Sequence, residues 1–220
     1  WTTDAHRNHY IICLVRTEAP SENRHAGFSQ IIIDLKNDGV NVRPIRNMAG
    51  GEDFNEVVFD DVLVPKDRIV GEPGNGWQQV TSELAYERSG PERFLSSFRV
   101  FVELVRICGD DPSPHQAAAI GRIASHFMTL RRMSLSVAGM LEAGKDVSVE
   151  AALVKELGNN FEKLLPEIAR LVVPDLSAVD PDKQRLFRET FEETLMLSPS
   201  FTLRGGTREI MRGVIARGLG

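Results

Sequence analysis

Cysteine is scarce: Cys13 and Cys108 are the only two in 220 residues. They stand alone, with no metal-ligand spacing and no disulfide framework, and a reducing compartment fits them best. There is no run of Lys or Arg, and the net charge is -5, which argues against nucleic acid or a membrane surface as the main partner. No apolar run approaches the length of a membrane span. The histidines, His6, His9, His25, His115 and His126, show no ligand pattern with Cys or carboxylates, so no metal site is expected. Internal repeats and low-complexity tracts are missing too. What is present is an ordinary soluble composition, 42% apolar and 26% charged, in a chain long enough for one or two domains with a real core. The sequence opens on Trp1, without an initiator Met, at what reads as a strand start. The expectation is that an N-terminal part of the protein precedes it, and any targeting segment with it.

The pattern changes near residue 72. Before it, β-branched runs predict strands over Tyr10–Val15, Phe28–Leu35, Val40–Pro44 and within Glu56–Val64, with Asn37-Asp38-Gly39 as a turn that uses glycine for positive φ. After it, the breaker cluster Pro73-Gly74-Asn75-Gly76 leads into helices. The first covers about Trp77–Ile107 and is kinked. The second runs from about Pro114 to Ala143, stopped by Gly144, with Ile120, Ile123, Phe127, Leu130, Val137 and Leu141 at helical spacing. Ser148 is a candidate cap for the third, whose stripe is Val154, Leu157, Phe161, Leu164 and Ile168 and which Pro166 should break or restart. Pro181 opens the fourth, to about Leu197, and a short helix follows Thr207. Ile120, Ile123, Phe127 and Leu130 are expected to be buried, and Met128, Met133 and Met140 read as core filler. The fold expected is α+β and multidomain: a partial antiparallel β-barrel or sandwich over residues 1–72, then a C-terminal four-helix bundle over residues 73–220.

Three stretches carry candidate chemistry. Pro91 has no N–H, and its ring crowds the carbonyl of Glu87, so the first helix should kink or break one turn after Glu87, eased by Gly90. A carboxylate beside a helix irregularity, with Arg88 next to it, suits chemistry; the same residues also read as a surface Glu–Arg pair beside a harmless kink. Trp1 and Thr3 share one face of a strand, where an indole and a hydroxyl can flank a planar heterocycle, or simply begin a half-buried strand. Gly205-Gly206-Thr207 lets the backbone approach a ligand ahead of a helix N-terminus, or is a plain turn with Thr207 as cap.

Taken together these pieces resemble the acyl-CoA dehydrogenase family. The resemblance is carried by Trp1-Thr2-Thr3-Asp4-Ala5-His6, Leu14-Val15-Arg16-Thr17, Gly39-Val40-Asn41-Val42-Arg43-Pro44-Ile45, the long stretch Phe54–Pro65, Gly76-Trp77, and Arg204–Arg212 at the far end. It is strong over about residues 1–90 and 200–219 and weak between. It implies a subunit of an N-terminal helical domain, a β domain and a C-terminal four-helix bundle, of which this chain would hold most of the last two. It also implies FAD as cofactor, an acyl-CoA thioester as substrate, removal of two hydrogens from its α and β carbons, and an electron acceptor protein as partner.

Residue by residue, Trp1 matches the tryptophan that packs on the flavin and Thr3 the threonine near its N5 edge. Gly205, Gly206 and Thr207 match the closing motif beside the cofactor, and Arg88 matches an arginine beside the substrate. Many members carry the catalytic Glu just before the Gly-Thr of that motif; here that position is Gly205. A minority place it on the long helix just before the arginine, which is where Glu87 stands. Two motifs depart. The stretch Cys108–His115 lacks the Arg-x-x-Phe-Gly motif, and Val173–Pro181 lacks the Gly-Gly-x-Gly loop, both of which serve FAD across a subunit interface. The resemblance therefore implies a homo- or hetero-oligomer, including the heterotetrameric actinobacterial type, in which a partner would supply the missing contacts. A non-catalytic or FAD-sharing subunit is the alternative. The location it implies is a bacterial cytoplasm, with a mitochondrial one left open, and the acyl group stays open as well.

Overall fold

The computed structural model describes all residues, Trp1–Gly220. The chain forms two compact units, Trp1–Glu83 and Leu84–Gly220.

The first unit contains two three-stranded antiparallel sheets. β2 (Tyr10–Arg16) pairs with β3 (Phe28–Asp34), which also pairs with the short β6 (Ile69–Val70). In the other sheet β5 (Phe54–Phe59) lies between β1 (Thr2–Thr3) and β4 (Val40–Ile45). Gly39 takes φ 85°, as the Asn-Asp-Gly turn demands, and a Cβ there would strike the carbonyl of Asp60. That contact helps explain why β5 stops at Phe59 and not near Val64. Asp60 donates its N–H to the Gly39 carbonyl and Asp61 turns to φ 48°, which ends the ladder.

The second unit is the helical bundle. α1 (Gly76–Ser89) crosses the division, with Leu84–Ser89 in this unit, and is followed by a 3-10 turn at Pro91–Arg93 and then by α2 (Phe98–Cys108). The expected kinked helix is thus two helices with a full break between them. α3 (Pro114–Glu142) starts with a capping box: the Ser113 hydroxyl accepts from the Gln116 N–H at 3.3 Å, and Gln116 Oε1 accepts from the Ser113 N–H at 2.9 Å. It ends where Gly144 reaches φ 68° and Lys145 N–H closes on the Met140 carbonyl at 3.0 Å. α4 (Ser148–Val172), α5 (Pro181–Leu197) and α6 (Arg208–Leu219) complete the unit. Asp180 caps α5, with Pro181 at its first turn as expected.

α4 is the central helix, packed against α2, α3, α5 and α6. Val100 and Leu104 from α2, Ile123 from α3, and Val154 and Leu165 from α4 are fully buried in one core, joined by Phe127 and Leu130. Ile120 is only half-buried. Met133 and Met140 pack against this core, whereas Met128 is 70% exposed.

Three details of α4 differ from the sequence reading. Its cap position is Val147, and Ser148 is instead the first helical residue, tied by its N–H and hydroxyl to Asp146. Leu157 and Leu164 face outward, because the packed side is broader and rotated toward Ala151, Gly158, Phe161 and Leu165. Finally, α4 runs straight through Pro166. That proline removes the donor for the carbonyl of Glu162, and the Ser97 hydroxyl supplies one at 2.9 Å, so the helix continues without an orphaned group.

Gly158 lets α4 approach the chain break closely: a Cβ there would collide with the carbonyl of Arg93. Gly158→Ala is therefore expected to destabilise the protein by about 1–3 kcal/mol through overpacking, despite the better helix propensity of alanine. Thermal and urea unfolding of the variant check this.

Candidate active site

The site in the helical unit is built on what Pro91 does to α1. Gly90 is driven to an extended conformation, φ -64° and ψ 157°, as a residue before proline should be. The carbonyl of Glu87 loses its helical donor. Arg93 replaces it, donating from Nε to the Glu87 carbonyl at 2.9 Å and from Nη2 to Glu87 Oε1 at 2.8 Å. The Arg93 side chain is 6% exposed and that of Glu87 is 42% exposed, so the carboxylate is gripped from its buried side and open on the other.

Arg88, next along α1, points to the closing loop and donates from Nε to the carbonyl of Gly205 at 3.2 Å. Burial lowers its pKa, opposed by the charge of Glu87. Gly205 and Gly206 adopt φ 66° and 100°, a pair of conformations that needs glycine. A Cβ on Gly205 would lie 3.1 Å from Glu87 Oε1 and 3.4 Å from Cε of Lys155. Any side chain at position 205 would thus enter the space beside the Glu87 carboxylate. Thr207 occupies the cap position of α6 without capping it by its side chain. Its hydroxyl instead helps, after the residue's own N–H, to hold the Glu209 carboxyl below its ordinary value.

Beneath these groups lies a buried polar chain on α4. Lys155 is wholly buried and donates from Nζ to Asn159 Oδ1 at 3.0 Å. Burial, then the neighbouring charges of Arg93 and Arg88, lower its pKa to about 8, against the pull of Glu156 and Glu87. Asn159 donates onward to Glu162 Oε2 at 3.2 Å and to the Arg93 carbonyl at 3.4 Å. Burial pushes the Glu162 carboxyl up, in spite of the Ser96 N–H at 2.6 Å and Arg204 at 3.2 Å. Glu156 anchors the start of α6 through Arg208 and Arg212, each at 3.0 Å.

The structure therefore gathers Glu87, Arg88, Gly205, Gly206 and Thr207 in one part of the helical unit. Trp1 and Thr3 belong to the other unit, where both are exposed. The strand that carries Thr3 is fixed by Asn55, wholly buried, which donates to the Thr2 carbonyl at 3.0 Å and meets His6 Nδ1 at 2.9 Å. Sequence reasoning missed Arg93, Lys155 and Asn159. Arg93 falls outside any helical period, beyond the break. Lys155 sits in Val-Lys-Glu-Leu, which reads as the solvated side of a helix.

Each unit thus carries its own candidate features: the exposed Trp1 and Thr3 in one, and in the other the left-handed Gly205 and Gly206, the N-terminus of α6 and the carboxylate of Glu87 gripped by Arg93. No family model matches the chain. The acyl-CoA dehydrogenase IpdE1 of Mycobacterium tuberculosis is 33% identical over 227 residues, covering 98% of this chain and 56% of that protein. A probable acyl-CoA dehydrogenase from Mycobacterium abscessus superposes with a TM-score of 0.81 at 22% identity, over 99% of this chain and 58% of that one. The ChsE4–ChsE5 complex of Mycobacterium tuberculosis superposes with a TM-score of 0.76 at 24% identity, over 100% and 60%. The chain is thus similar to acyl-CoA dehydrogenases over nearly its whole length and shares their fold. It spans about half the length of the curated relatives it matches.

A lysine whose folded pKa is depressed binds fewer protons folded than unfolded between about pH 8 and its ordinary value of 10.5, so its stability penalty is full below pH 8 and fades as the pH rises. Lys155→Met removes this titration, so its stability relative to the parent should be highest near pH 7 and fall by on the order of 1–3 kcal/mol toward pH 10, on top of a pH-independent loss of the bond to Asn159. Unfolding midpoints measured across this pH range test it.

Proposed function

We propose that this chain is the β-domain and bundle portion, residues 1–72 and 73–220, of an FAD-dependent acyl-CoA dehydrogenase, with Glu87 as the base that takes the α proton. The observation that carries the reading is the space shared by Glu87 Oε1 and the missing side chain of Gly205. A carboxylate on Glu87 reaches the same place that one at position 205 would serve.

FAD, when bound, supplies hydride acceptance at the β carbon of the thioester. The residues present fit it. Trp1 offers an exposed ring just before β1 and Thr3 an exposed hydroxyl on it; in the other unit Gly205, Gly206 and Thr207 offer close backbone approach at the N-terminus of α6. This chain's own task is to hold a proton acceptor in place. Oε1 of Glu87 is occupied by Arg93, which leaves Oε2 to receive the α proton. The side chain is 42% exposed, so in this reading the bound thioester and the rest of the subunit exclude water from it. Arg88, through the Gly205 carbonyl, ties the base helix to the cofactor loop. The electron acceptor would be a separate protein, and the setting a bacterial cytoplasm. No helix is long and apolar enough to cross a membrane.

A second reading is favoured by one observation. The turn after α2 and the segment between α4 and α5 carry neither of the family motifs that reach a neighbour's FAD. The chain would then share FAD with, or merely support, a different subunit in a heteromeric assembly, as the likeness to the ChsE4–ChsE5 complex suggests. Flavin content of the purified chain, alone and with candidate partner subunits, separates the two readings. Retention of FAD by the homo-oligomer favours the first.

The base assignment is tested by anaerobic single-turnover flavin reduction in the complete assembly. Glu87→Gln should lower the rate by at least ~10²-fold with FAD content and acyl-CoA binding kept. Glu83→Gln, one turn earlier, should leave it nearly intact. Parent-rate bleaching by Glu87→Gln would move the base to another carboxylate.

A further inference from the structure

We propose that Arg93 is the positioning residue of this site: its guanidinium takes over the bond that Pro91 denies to the Glu87 carbonyl and, with the same fork, aims the Glu87 carboxylate. The proposal rests on Glu87 as base and adds how that base is held.

The geometry is a two-point grip. A helix end normally leaves its last carbonyls to water or to caps. Here one carbonyl and one carboxylate oxygen of the same residue are both taken by one buried side chain, at 2.9 and 2.8 Å. Two bonds from a planar fork fix the Glu87 side chain relative to its own backbone, which a single ion pair does not. Oε2 is left without a protein partner.

Arg93 is itself immobilised. Its N–H closes the 3-10 turn onto Gly90, and its carbonyl accepts from Asn159 and lies against Gly158. The surrounding charges do not duplicate its role. Lys155 bonds Asn159, Arg88 bonds Gly205, Arg204 bonds Glu162, and Arg208 and Arg212 bond Glu156. Glu92 stands 3.8 Å from Nη2 and is the only other carboxylate paired with Arg93. A lysine at position 93 would restore the charge and has donors enough, but its single nitrogen lacks the planar fork whose Nε and Nη2 meet the two acceptors at fixed positions.

Two measurements on the FAD-loaded complete assembly test the inference. The first needs no substrate: the carboxylate stretch of Glu87, assigned by infrared difference against Glu87→Gln. It should shift in Arg93→Met and in Arg93→Lys, in samples whose circular dichroism and FAD content match the parent. The second is exchange of the α proton with deuterated water, using whichever of butyryl-, octanoyl- and palmitoyl-CoA the parent exchanges. Arg93→Met should slow exchange on the order of 10- to 100-fold with thioester affinity little changed. Arg93→Lys should recover folding stability ahead of exchange. Pro91→Ala restores a backbone donor to the Glu87 carbonyl and should slow exchange while Arg93 remains. An unmoved Glu87 band in a folded Arg93→Met protein overturns the proposal, and so does exchange within twofold of the parent. Parent-rate exchange by Glu87→Gln defeats the base reading instead, and the infrared result then still decides whether Arg93 holds Glu87.

Discussion

A proline inside or just past a helix leaves one carbonyl, four residues back, without its donor. Two prolines of the helical unit, Pro166 and Pro91, show different answers to this. Behind Pro166 the Ser97 hydroxyl reaches the Glu162 carbonyl and α4 carries on. Behind Pro91 the guanidinium of Arg93 reaches the Glu87 carbonyl and the chain breaks into a 3-10 turn before α2 begins. The outcomes differ because Pro166 lies within a helix packed on four sides, whereas Gly90 precedes Pro91 and is free to leave the helical region. The two repairs are linked. Ser97 and Arg93 both belong to the short connection between α1 and α2, and both contact α4, through Glu162 and Asn159.

α4 accordingly does two jobs. Its apolar side supplies the bundle core. Its polar side, Lys155, Glu156, Asn159 and Glu162, is almost entirely removed from water and bonded to three neighbouring segments. A row of buried polar groups is costly unless each is satisfied. Here the satisfied row fixes where the chain break and the closing loop lie. Part of that cost falls on Lys155, whose charge is buried and lies near Arg93 and Arg88, against the pull of Glu156 and Glu87.

Much of the fold was legible in the sequence. Period-two alternation and glycine turns marked the strands; caps and prolines marked α3 and α5 almost to the residue. The closing motif and the Glu-Arg pair were legible too, and they do come together around Gly205. What could not be read was set by tertiary contact. Pro166 looks like a breaker because Ser97 is far away in sequence. Leu157 and Leu164 look like core because their spacing is right, yet the wider buried side of a central helix takes in small and charged residues. Arg93 and Lys155 carry no periodic signal: their roles arise from a break in one helix meeting the polar side of another.

The crowding between Gly205 and Glu87 also bears on how such a site can change over time. The two positions cannot be treated as independent. A carboxylate arriving at 205 while Glu87 is still present would set two like charges in contact, in a backbone conformation that disfavours any side chain. Loss of Glu87 first would remove the carboxylate that lies beside Gly205. On the proposed role of Glu87, moving the carboxylate between these positions one substitution at a time therefore passes through a disfavoured intermediate whichever change comes first.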